Sequence, residues 1–256
     1  MPAPSRITLQ ADLSVYGLRL RGAWLPGEGD AIPAMPGGQP AAVVWMVGVV
    51  GSEFWPFFKA SARYQEFLHN GVPDPLDRWS RAVGDELGSR WGGVALYPFD
   101  GPPYQPFQQW ATRAEPLQTS PLMLRIHPDH GLWHAYRFAL ALPEWAAGDL
   151  PESALTHPDT ALDEARSPVA GLPRLDLCRT CDGQPCLSAC PVQAFTGTTF
   201  KLDACAVHLH TPDGADCMTT GCLARRACPV GQGSRYMPEH AAFHMQAFAG
   251  CHGGNS

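Results

Sequence analysis

The residues best equipped for chemistry are cysteines, and they are gathered in one place. Nine are present; none lies in the first 177 residues, eight fall between Cys178 and Cys228, and the ninth is Cys251. The first group reads Cys178-x2-Cys181-x4-Cys186-x3-Cys190-Pro191. The second reads Cys205, then Cys217-x4-Cys222-x5-Cys228-Pro229. Thiolates packed this densely in a reducing compartment hold metal rather than form a disulfide framework. Two clusters of cysteines, each closed by Cys-Pro, point to iron–sulfur ligation. Neighbouring thiolates wrap one cluster, and the cysteine before proline leads away to ligate the other. On that rule Cys178, Cys181, Cys186 and Cys228 form one four-thiolate set, and Cys190, Cys205, Cys217 and Cys222 form the second. The alternative is zinc, which also takes four thiolates. Only one two-residue spacing exists, however, and a repeated Cys-Pro ending has no use in a zinc ribbon. The gaps are wider than the usual x2-x2-x3, so the total of eight ligands is firmer than the partner of each cysteine. Arg179, Lys201, Arg225 and Arg226 stand close in sequence to these ligands, where they either offset the charge of a bound cluster or form a solvated face. His208 and His210 are expected to pack beside the second set rather than ligate.

A second concentration of reactive side chains is Ile126-His127-Pro128-Asp129-His130-Gly131-Leu132-Trp133-His134-Ala135-Tyr136-Arg137. Three histidines, a tryptophan, a tyrosine and an arginine in twelve residues could face a flat conjugated cofactor or supply an axial ligand. The alternative is a hairpin with Trp133 and Tyr136 in the core. Further along, His240 and His244 lie four apart on an expected C-terminal helix. They could share a metal, although packing of that helix through Phe243 and Phe248 is the simpler expectation. Cys251 is expected to be a free thiol in a frayed tail.

The elements that must position these groups follow from periodicity. The sequence predicts a helix over Leu9–Tyr16, a strand at Leu18–Arg21, a buried strand over Ala41–Gly51 and a helix from Glu53 to Leu68. Asp74-Pro75-Leu76-Asp77 reads as a helix start with Asp74 as N-cap, running to Trp91. A strand at Val94–Phe99, a helix at Pro106–Ala114, and strands at Leu122–His127 and Trp133–Leu142 complete a mixed α+β domain around one sheet. The stretch Pro143–Pro173 has linker composition. The expected organisation is an α+β domain with its linker over 1–170, a small two-cluster domain over 171–235, and a helix and tail over 236–256.

Composition bounds the rest. With 256 residues, 45% hydrophobic, the chain can bury a real core, while 26 glycines and 26 prolines imply many turns. The net charge of −6 argues against a nucleic-acid surface. The longest apolar run, Ala41–Gly51, falls short of the roughly 20 residues a bilayer requires, so no membrane partner is expected. The N-terminus lacks an apolar signal core, and the expected location is cytoplasmic.

Two resemblances give these observations a direction. Residues from about Ala41 to Pro143 resemble the cytosolic cobalamin-processing family, the B12 decyanases and trafficking chaperones of nitroreductase-like fold. The resemblance runs through Asp74–Asp77 and through Ile126-His127-Pro128, Gly131, Trp133, Ala135 and Arg137 into Phe138–Pro143. It implies a nitroreductase-like mixed sheet and a base-off corrinoid lined by His127, Gly131, Trp133 and Arg137. The Cys178–Pro229 segment resembles the ferredoxin module of epoxyqueuosine reductases and reductive dehalogenases, which implies two [4Fe–4S] clusters. Together they imply an oxidoreductase that takes electrons from reduced ferredoxin or flavodoxin and removes the upper axial ligand of cobalamin. The alternatives are a corrinoid-dependent reductase of an organic substrate and an electron-transfer adaptor that binds no corrinoid. The sequence shows no basic surplus, no helical repeats after Cys228 and no twin-arginine motif, so neither a tRNA substrate nor export is expected.

Overall fold

A computed structural model describes residues 3–146, 148 and 176–252. The chain divides into two compact units. One holds the described residues of Met1–Pro116 and Ala135–Arg174, and the other those of Leu117–His134 and Leu175–Ser256. The sequence placed 117–134 in the N-terminal domain and set the C-terminal helix apart; both fall with the cysteine-rich segment. The domain boundary near residue 170 and most of the expected linker lie outside the described residues.

The first unit is α+β, built on one four-stranded sheet of order β1-β2-β6-β3. Its centre is β2 (Val43–Val50), whose eight residues are all buried, as a continuous apolar run requires. β1 (Arg19–Trp24) pairs antiparallel with β2, with an irregularity between Leu20 and Gly22. On the other side of the sheet, β3 (Val94–Leu96) pairs antiparallel with β6 (His134–Leu142). α1 (Arg6–Ser14) and α5 (Phe107–Ala114) pack against β1, and α4 (Pro75–Arg90) packs against β3, while α3 (Ala62–Asn70) packs against α2 (Trp55–Ala60) and α4. Phe54, Trp55, Phe58 and Trp79 join in one aromatic cluster, with Phe58 and Trp79 centroids 5.6 Å apart.

Three local expectations are corrected. α1 begins at Arg6 rather than Leu9, because Ser5 and Thr8 cap each other's backbone N–H groups. The helix expected over Glu53–Leu68 is broken at Ser61, whose backbone is extended and whose Oγ accepts from Tyr64 N–H at 3.3 Å. Pro75 does open α4, but Asp74 is left-handed at φ 53° and makes no side-chain cap.

The second unit has little sheet. The strand expected over Leu122–His127 shrinks to β5 (Arg125–Ile126), which pairs with β4 (Gln118–Thr119) and not with β6. The expected hairpin is therefore absent; His127 and Gly131 close a tight loop instead, with mutual backbone bonds of 2.9 and 2.8 Å. Short helices follow: α6 (Pro185–Ser188), α7 (Leu202–Leu209), α8 (Ala215–Thr220) and α9 (Leu223–Arg226). The last is α10 (Pro238–His252), which buries His240, Ala241 and Ala249 rather than Phe243 and Phe248. Ala249 packs with Leu209 and Cys217, tying α10 to α7 and α8. Cys251 is exposed in the last turn of α10, not in a frayed tail. Among the described residues no helix is long and apolar enough to cross a membrane.

Candidate metal centres

The eight cysteines of the second unit stand around two cavities, four to each. Cys178, Cys181, Cys186 and Cys228 line one. Cys190, Cys205, Cys217 and Cys222 line the other. Among the described residues no three or more His, Cys, Asp or Glu side chains form a group that could hold one metal ion. The thiols ring open space instead.

Local structure explains how each thiol arrives. The Asp176 carbonyl accepts from the N–H and Oγ of Thr180, and its carboxylate accepts from Arg179 N–H at 3.0 Å. This turn carries Cys178 and Cys181 together. Gln184, left-handed at φ 39°, donates from Nε2 to the Cys178 carbonyl at 3.0 Å and starts α6 at Pro185. The second residue of α6 is Cys186. Cys190 Sγ accepts from Ala194 N–H at 3.3 Å as the chain turns away at Pro191. α7 carries Cys205 and α8 carries Cys217, while Cys222 is the residue before α9. Cys228 follows α9 and closes the first cavity beside Pro229.

Electrostatics divide the thiols in the same way. Burial, then repulsion from Cys228, Cys186, Cys181 and Asp176, pushes the Cys178 thiol up to about 11. Burial, then repulsion from Cys222, Cys190 and Cys217, pushes Cys205 up to about 11. Cys186 and Cys228 are raised chiefly by burial, with repulsion from Cys181. Opposing this, backbone N–H groups face several sulfurs: Leu223 at Cys217, Arg225 and Ala224 at Cys222, and Val230 at Cys228. Arg226, anchored on Asp216, further favours the Cys217 thiolate. Four thiols held around one space resist ionising together, and a cation that favours their thiolate forms would be met by a matched donor set.

The donor set therefore fits iron–sulfur chemistry, and two other side chains bear on that fit. Ser120 lines the first cavity and His208 the second. Both are buried, and neither Ser120 Oγ nor His208 Nε2 has a hydrogen-bond partner among the described residues. His208 was visible in sequence beside Cys205. Ser120 lies far upstream of Cys178 and no motif marked it.

The residues singled out for a corrinoid are divided between the units. His127, Gly131 and Trp133 lie in the second unit and Arg137 in the first. His127 is buried; its Nδ1 accepts from the N–H of Asp129 at 3.1 Å and of His130 at 3.3 Å, and its ring stacks on His130. Gly131 has φ 56°, and a Cβ there would sit 2.0 Å from the Val230 carbonyl oxygen. Gly231 returns the constraint, since its Cβ would meet His130 at 2.1 Å. The loop after Cys228 thus lies backbone to backbone against the histidine loop. Trp133 packs beneath the Arg225 guanidinium at 4.6 Å and against Tyr236 at 5.4 Å, while Arg225 Nε donates to the Leu132 carbonyl at 3.0 Å. Arg225 faces aromatic rings and a carbonyl in these contacts. Arg137 donates to Ser80 Oγ at 3.0 Å and to Asp77 at 2.5 Å. His240 and His244 approach at Nε2 to 3.0 Å, with Tyr236 stacked on His240. In comparisons with known proteins, no family model and no curated protein matches the chain.

Proposed function

We propose that the protein carries two [4Fe–4S] clusters, one on Cys178, Cys181, Cys186 and Cys228 and the other on Cys190, Cys205, Cys217 and Cys222, and moves single electrons through them. The observation that carries this reading is the partition of the thiols. Each cysteine that precedes a proline lines the cavity formed mainly by the other cysteine group. A zinc ion bonded to four thiolates at about 2.3 Å leaves no interior, whereas a cube of iron and sulfide occupies one. When bound, such clusters store and pass one electron at a time. The chain's own residues do the rest. Leu122, Ile126, Leu132 and Val230 keep water from the first set. Backbone N–H groups hold the sulfurs of Cys217, Cys222 and Cys228. Anaerobic reconstitution with iron and sulfide tests the reading: eight irons and eight acid-labile sulfides per chain are expected. Binding of two zinc ions in preference, with no sulfide retained, would overturn it.

The acceptor we propose is a corrinoid, with reduced ferredoxin or flavodoxin as donor. This half is supported by the resemblance of Ala41–Pro143 to the cobalamin-processing family, on which we read the first unit as nitroreductase-like. Of the four residues that the resemblance places at the corrinoid, Arg137 lies in that unit. One electron delivered to cyanocobalamin converts Co(III) to Co(II), and cyanide leaves with its bonding pair. Anaerobic titration with cyanocobalamin, before and after dithionite, is the test. A base-off spectrum followed by release of cyanide is expected. Bleaching of iron–sulfur absorbance with no corrinoid shift would leave an electron-transfer adaptor.

A further inference from the structure

Each thiol-lined cavity carries one buried polar side chain without a hydrogen-bond partner among the described residues. Ser120 is 5% exposed and His208 8% exposed. Ser120 lines the cavity of Cys178, Cys181, Cys186 and Cys228, and His208 lines that of Cys190, Cys205, Cys217 and Cys222. Neither Ser120 Oγ nor His208 Nε2 has a hydrogen-bond partner among the described residues. Backbone structure holds both residues in place. Ser120 N–H donates to the Leu124 carbonyl and its own carbonyl accepts from Met123 N–H, each at 2.9 Å. The His208 carbonyl accepts from Thr211 Oγ at 2.7 Å and from Thr211 N–H at 3.0 Å. Gly214 passes so close that a Cβ there would lie 2.2 Å from the His208 carbonyl oxygen.

An unsatisfied buried donor costs about 1–3 kcal/mol, and native structures rarely keep one unless something from outside the chain satisfies it. The two orphans differ in chemistry and lie far apart in sequence, yet there is one at each thiol set. What those sets hold is an acceptor: thiolate sulfur and, on the iron–sulfur reading above, sulfide. We propose that Ser120 Oγ–H and His208 Nε2–H each donate a hydrogen bond to sulfur of the group held in its own cavity, and thereby set the potentials of the two clusters separately. A donor to sulfur stabilises the reduced, more negative state, so each residue raises the potential of one cluster. The proposal rests on the iron–sulfur reading and adds residues outside the ligand set.

The test is a redox titration of the reconstituted full-length protein followed by electron paramagnetic resonance, with iron and sulfide content measured in parallel. Ser120→Ala is expected to lower one midpoint and His208→Leu the other. Each shift should be about tenfold in the reduction equilibrium, or 59 mV for a one-electron couple. The double variant should lower both, and His208→Gln, which keeps an N–H donor, should stay near the parent. Resonance Raman supplies a second readout: iron–sulfur stretches of the parent should shift in D2O, less so in each variant. Midpoints that do not move, or two variants that move the same midpoint, would overturn the proposal. Loss of four irons in His208→Leu would also overturn it, by making His208 a ligand. If the parent chain retains no iron and sulfide, the iron–sulfur reading fails before any variant is compared.

Discussion

The two units bury their interiors by different means. The first relies on side chains: β2 is buried along its whole length, Trp45, Trp55 and Phe58 are almost fully enclosed, and one sheet organises the helices. The second has a two-stranded ribbon and helices mostly of four to eight residues, too short to be stable alone. Its buried cluster mixes Leu122, Ile126 and Leu132 with Cys186, Cys190 and Cys228, and the thiols surround space rather than fill it. Hydrophobic burial suffices where long apolar elements can face each other. Where the elements are too short, bonds to a central group would, on the proposed reading, replace the missing packing.

The contrast also shows in how each unit handles buried charge. In the first, buried Arg21 Nε donates to buried Glu115 at 3.0 Å, and Tyr136 donates to the same carboxylate. Burial still raises Glu115 above the usual carboxylate range, outweighing both partners. In the second, burial and mutual repulsion raise the thiols, and a cation would relieve both.

The sharpest way to break this comparison is to remove the proposed clusters. Chelation of the reconstituted protein should collapse hydrogen-exchange protection across 176–252 while leaving the β1 and β2 amides protected; equal loss in both units would contradict it. Next in size is the pairing of cysteines. Cys178→Ala/Cys190→Ala disables both crossed sets and should leave a chain that retains almost no iron, whereas ligation by sequence neighbours alone would spare four irons. A smaller effect belongs to the first unit. Glu115→Ala strands the Arg21 charge and should destabilise that unit by about 3–5 kcal/mol, measured by exchange of β1 and β2 amides. Arg21→Met/Glu115→Leu should cost less than the single change, because no charge remains buried. The smallest is a pH effect confined to iron-free protein. Burial and the neighbouring thiols push folded Cys178 and Cys205 up to about 11, above the ordinary thiol value of about 9. The folded state therefore binds more protons over that interval. Stability of the second unit should be intact below pH 9 and fall as pH rises toward about 11, a loss the iron-loaded protein should not show.

Much of the thiol arrangement was legible because it is written in short spacings. A Cys-x2-Cys turn, a cysteine early in a Pro-initiated helix and a Cys-Pro exit are each local instructions, and the eight thiols stand four to each cavity. The buried strand at Val43–Val50 was legible for a similar reason, since eight apolar residues in a row leave no polar face. The histidine loop misled because its pattern of Trp, Tyr and His fits a hairpin as well as the loop observed. What separates the two is Gly131 against Val230, a contact across about a hundred residues of chain.

The sequence by itself determined the number and order of the thiols, the apolar centre of the first unit and the helix start at Pro75, because each depends on residues within a few positions of one another. Tertiary structure alone decided that 117–134 joins the cysteine-rich unit, that Ser120 reaches one thiol cavity, and that Asp77 serves Arg137. Those outcomes turn on which distant surfaces exclude water from each other, and no local pattern encodes that choice.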